Sequence, residues 1–122
     1  MGTATGYIAN VLLQIESELR LVALWEQESP PAAALASTIP FCFDTLEFHQ
    51  WLQWVFLPRM REVVAGARSW PVSSDIFPIA EHSFAGKGLD VARLLDRIKA
   101  FDAAVTARGS MLSKRGGEGA RN

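Results

Sequence analysis

Twenty-four consecutive residues, Ser37 through Met60, constrain this chain more than any other part of it. The run reads as a turn, a helix start and then an aromatic-rich helix, with Pro58 placed inside that helix. A proline in a helix interior removes one backbone hydrogen bond and crowds the carbonyl four residues earlier, so a kink is expected there. On a wheel of about 100° per residue, Phe48, Leu52 and Val55 share one side, roughly joined by Trp51 and Phe56. Leu46, Leu57 and Met60 point nearly the other way, with Trp54 between the two groups. A helix apolar nearly all round is normally buried on more than one side.

Two outcomes satisfy that pattern. In the first, this is the central helix, and the long proline-containing loop before it covers the second face; packing of this kind is the commoner cause of apolar stripes. In the second, Trp54, Leu57, Pro58, Arg59 and Met60, with Trp51 at the edge, form an exposed surface for a second copy or a protein partner. Trp, Met and Arg are the residue types enriched at interface cores.

The rest of the chain reads as three further helices. Ile8, Val11, Leu12, Ile15, Leu19 and Val22 recur at three- and four-residue steps and predict a helix over 7–27, with Thr5 as N-cap and Trp25 closing the stripe. Pro30-Pro31 stops it. A connection over 28–43 follows, which the bulky groups of Pro40-Phe41-Cys42-Phe43 are expected to pin down. Asp44 and Glu47 have the spacing of a capping box, and Gly66 is the natural stop for the helix they start. Pro78 suits the first turn of a short helix over 77–85. Val91, Leu94, Leu95, Ile98, Phe101 and Val105 mark a last helix over 89–107, ended by Gly109. The expected fold is all-α: one four-helix, bundle-like domain over 1–108, with a long proline-containing loop between its first two helices and a flexible tail over 109–122.

Composition excludes several classes of function. The net charge of −1 gives the molecule as a whole no electrostatic pull toward nucleic acid or anionic membrane. Residues 108–122 carry four cations against one carboxylate, so weak RNA contact through the tail stands as a minor alternative. The single cysteine, Cys42, forms no internal disulfide and fits a reducing compartment. No run approaches the roughly 20 apolar residues of a membrane span, and the N-terminus lacks a basic signal region, so the cytoplasm is expected. Two histidines and one cysteine, without ligand spacing, argue against a metal site, and no phosphate-binding loop follows a strand, so no cofactor is expected. Gly86-Lys87-Gly88 before a helix reads as a flexible turn. Glu16–Arg20 and Arg59–Glu62 have the spacing of solvated helix-surface ion pairs, so no catalytic acid or base stands out.

Ser37-Thr38, Pro40-Phe41, Asp44-Thr45, Glu47, Trp51-Leu52-Gln53-Trp54, Val55 and Pro58-Arg59-Met60 together resemble the YqcC-like family of small bacterial proteins of unknown function. The same order of helices extends the resemblance over about residues 7–107, with the tail as an addition. The resemblance implies an all-α, four-helix fold. It also implies association with a tRNA pseudouridine synthase, because the family's genes are often found beside one. It brings no catalytic residues.

The expected function is therefore non-enzymatic and cytosolic: binding to a second copy or to a protein partner, with an accessory role near tRNA modification. Direct nucleic-acid binding and membrane contact are not expected. The alternative is a small-molecule binder or unrecognised enzyme, with a pocket between the 40–44 loop and the second helix lined by Cys42, Asp44, His49 and Arg59.

Overall fold

The computed structural model describes residues 3–121, with side chains described over 4–112. Among the described residues all regular structure is helical. Helix α1 (Thr3–Leu21) buries Ile8, Val11, Leu12, Ile15 and Leu19, the stripe its spacing predicts. Thr5 lies inside this helix rather than capping it.

Helix α1 stops well before Trp25 because the backbone turns left-handed at Ala23, φ 64°. The Ala23 N–H donates to the Arg20 carbonyl (3.1 Å) and the Leu24 N–H to the Leu19 carbonyl (2.9 Å). This is a Schellman closure, built here on alanine instead of the usual glycine. Trp25 sits beyond it, half-buried, with the Arg20 guanidinium 4.4 Å above its ring.

The connection that follows is ordered by a short helix α2 (Ala32–Leu35) and a single 3-10 turn (Pro40–Cys42). The central helix then begins three residues later than Asp44 suggests. Glu47 is its N-cap, and Gln50 Oε1 accepts the Glu47 N–H (2.8 Å) in a capping box. Asp44 instead accepts the Ser37 hydroxyl (2.5 Å), tying the two ends of the loop together.

The central helix is three pieces in one rod: α3 (Phe48–Trp51), a π turn (Leu52–Phe56) and α4 (Leu57–Val64). The irregularity falls just before Pro58, which has no N–H to offer the Trp54 carbonyl. It takes the form of a widened turn. Gly66, φ 87°, ends the helix as predicted, with the Ala67 N–H reaching back to the Glu62 carbonyl (2.8 Å).

Helix α5 (Phe77–Phe84) has Pro78 in its first turn, as predicted. Helix α6 (Ala92–Arg121) does not end at Gly109 but runs through it, and Asn122 lies outside the described residues. Gly109 is a packing position: a Cβ there would lie 1.8 Å from the Val72 carbonyl oxygen. Only glycine lets the 67–76 loop cross the helix so closely.

Helices α1 and α6 run antiparallel, with Glu18 near Arg93 (3.6 Å) and Gln14 accepting from Arg97 (2.9 Å). Helix α4 packs on α1 and α5 on α6. One core joins them all, with Leu52, Leu57, Leu94, Ile98 and Phe101 at its centre. Asp102 of α6 holds the start of α5. Its carboxylate accepts the Ser74 hydroxyl (2.6 Å), the Ile76 N–H (3.0 Å) and the Phe77 N–H (2.7 Å).

Candidate functional site

The Trp51-Leu52-Gln53-Trp54 motif grips the segment that leaves α1. Gln53, 5% exposed, accepts the Glu26 N–H and donates to the Glu26 carbonyl, both at 2.7 Å. The Glu26 carboxylate in turn accepts from Gln50 Nε2 (3.1 Å) and Trp54 Nε1 (3.2 Å), and His49 Nε2 lies 3.5 Å away. Backbone and side chain of one residue are thus held by four side chains of the central helix. The motif is accounted for by this clamp, and Trp54 is a hydrogen-bonded, half-buried part of it.

The surface proposed from the wheel divides. Leu57 is 0% exposed and Met60 5%, so both belong to the core and neither can face a partner. Trp51 and Trp54 are half-buried, and only Pro58 and Arg59 are exposed. The physical reason is the π turn. It carries about one residue more than an α turn, so every position beyond it is set back by about 100°. That rotation brings Leu57, Met60 and Val63 onto the side of Phe48 and Leu52, where all five are buried. The helix has one apolar face, re-phased halfway along; the second face is a product of assuming a regular wheel.

The alternative pocket does not assemble. Cys42 is buried, Asp44 is tied to Ser37 and His49 lies against Glu26. Arg59 is ten residues, or about 15 Å, further along the same helix than His49. Of the four, only His49 lines the cavity of about 280 Å³ between α3 and the end of α5, with Leu24, Glu47, Phe48, Ser83, Phe84, Lys87 and Leu89. A larger groove of about 560 Å³ lies where α1 begins and α6 continues past Ala104, floored by Ala4, Ala104 and Ala107. No group of three or more His, Cys, Asp or Glu that could hold a metal ion occurs among the described residues. The Arg97 guanidinium is held above its ordinary value by its hydrogen bond to Asp96 and so stays charged.

The Pro40–Phe43 segment is only partly the pin it was expected to be. Phe41 packs edge-on against Trp51 (4.8 Å between centroids) and Cys42 is buried, but Phe43 remains 53% exposed and Ile39 47%. Phe41 (φ 60°) and Cys42 (φ 51°) are both left-handed, which the sequence does not signal, since neither is a glycine or an asparagine.

The fold and this segment define a small all-α domain with a π-turned central helix and an aromatic loop packed on it. Residues 7–104 match the DUF446 family, described as tRNA pseudouridine synthase C, and the chain belongs to that family. The uncharacterised protein YqcC of Escherichia coli is 32% identical over 92 residues, covering 75% of this chain and 84% of that one. An uncharacterised protein of Haemophilus influenzae is 35% identical over 72 residues, 59% of this chain and 68% of that one. A protein of Pectobacterium carotovorum named tRNA pseudouridine synthase C is 44% identical over 63 residues, 48% of this chain but only 17% of that protein. The solution NMR structure of YqcC from E. coli has a TM-score of 0.74 at 29% identity, covering 85% of this chain and 89% of that chain. No helix among the described residues is long and apolar enough to cross a membrane.

Proposed function

We propose that this protein is a non-catalytic accessory module that works in the cytoplasm by binding a tRNA pseudouridine synthase of the C type. One observation carries this reading. The stretch of the Pectobacterium protein similar to this chain is 17% of a protein named as that synthase. A domain carried in the same chain as an enzyme is one that acts where the enzyme acts. In this reading catalysis belongs to the part of that protein outside the similar stretch. The side chains agree: the Glu26 carboxylate and His49 of the central helix are engaged in a structural clamp.

The test is co-purification of the tagged protein from its native cells, followed by synthase assays on tRNA with and without it. Recovery of the synthase, and a changed rate or yield of pseudouridine on adding the protein, are the expected results. A partnerless protein that leaves the synthase unaffected would refute the reading.

A further inference from the structure

We propose that the loop Ile39–Phe43 is a preformed knob that docks into an apolar socket, rimmed by lysine or arginine, on the tRNA pseudouridine synthase; this rests on the accessory reading above. Three independent observations meet at this loop.

The first is exposure of two large apolar groups that flank one turn. Ile39 and Phe43 stand on either side of one 3-10 turn, each about half exposed. A buried aromatic anchor surrounded by lesser contacts is the usual energetic centre of a protein interface.

The second is rigidity at a cost. The Ser37 hydroxyl accepts the Ile39 N–H (3.1 Å) and donates to Asp44, while the Thr45 hydroxyl donates to the Ala34 carbonyl (2.7 Å). The Phe41 ring is wedged among Phe43, Phe48 and Trp51 at 5.6, 6.3 and 4.8 Å. Inside this frame Phe41 and Cys42 hold successive left-handed conformations that ordinary side chains avoid. A loop that only had to cover a helix would relieve this with glycine. The twist instead seats Phe41 and Cys42 inward and leaves Ile39 and Phe43 outside. Backbone strain of this kind collects at ligand contacts, and a preformed knob loses little freedom on docking.

The third is charge, which selects the partner. Between Arg20 and Arg59 the chain has no lysine or arginine, yet it carries Glu26, Glu28, Asp44 and Glu47. Lys87 reaches Glu47 from the end of α5 (3.3 Å), and His49 lies at Glu26. Asp44, the residue after the loop, accepts the Ser37 hydroxyl. Residues 21–58 therefore sum to −4, and the compensating +3 lies in residues 108–122. The exposed carboxylates of Asp44 and Glu47 beside the loop repel a phosphate backbone and favour a cationic surface. An enzyme that acts on tRNA must present cationic surface to hold a polyanion, so the complementarity points to the enzyme and away from its RNA.

The experiment is calorimetric titration of the full chain into the purified synthase from the same cells, with Phe43→Ser and Ile39→Ser beside two controls at equally exposed apolar positions elsewhere, Leu13→Ser and Val72→Ser. Melting curves confirm that each variant is folded. The expected result is a Kd about tenfold or more weaker for Phe43→Ser and for Ile39→Ser, unchanged for the controls, with wild-type binding weakening as salt rises. A wild type that binds while Phe43→Ser binds equally well would overturn the knob and leave the accessory role standing. A wild type that shows no binding removes the accessory role, and the knob with it. Binding of free tRNA through Phe43, with none to the enzyme, overturns the proposal in favour of base stacking.

Discussion

Asp102 bonds two consecutive backbone N–H groups and a hydroxyl, and so sets where α5 begins. Removing it leaves buried donors without acceptors, so Asp102→Ala is expected to cost about 2–4 kcal/mol in denaturant unfolding. Ala23 gives the opposite case. It holds a left-handed φ of 64° that glycine adopts without strain. Ala23→Gly should therefore stabilise the fold by about 0.5–1 kcal/mol, read as a higher Tm, once the greater freedom of glycine in the unfolded chain is subtracted. Gly109→Ala puts a methyl group into the backbone of Val72, and a loss of about 2 kcal/mol or more is expected. None of these three roles is legible in sequence. Asp102 reads as one more helix carboxylate and Ala23 as helix interior, while Gly109 reads as a stop, because each acts on a neighbour distant in the chain or through a dihedral that composition does not reveal.

The elements themselves were largely legible. The three- and four-residue spacing of α1 and α6, Pro78 in α5 and Gly66 after α4 are local signals, and local physics decides them. The central helix misled because the wheel assumes about 3.6 residues per turn throughout. Pro58 announced an irregularity but not its kind, and a π turn rotates everything after it. Burial, more than the proline, holds that phase: Leu57, Met60 and Val63 face the core only with the extra residue in place. Pro58→Ala is accordingly expected to leave the π turn intact and to change stability by less than about 1 kcal/mol, with the helix geometry checked by NMR. A regular α-helix through 52–56 in that variant would show that the proline, and not packing, imposes the turn. The candidate site was legible only in outline. The Ser37–Met60 run holds both the clamp and the loop, but which of its apolar groups face solvent depended on the π turn and on two left-handed residues.

At the scale of the whole molecule, the fold sets an uncharged aromatic loop beside the carboxylates of residues 21–58, on a body that is otherwise neutral up to residue 107. That division suits a small protein which joins a tRNA-binding enzyme at its cationic surface. The most direct measurement is sedimentation velocity of the fluorescently labelled protein mixed with the C-type synthase at low salt. A single faster boundary, lost at high salt and lost with Phe43→Ser, is the predicted result. A labelled protein that sediments in the mixture as it does alone would contradict the account.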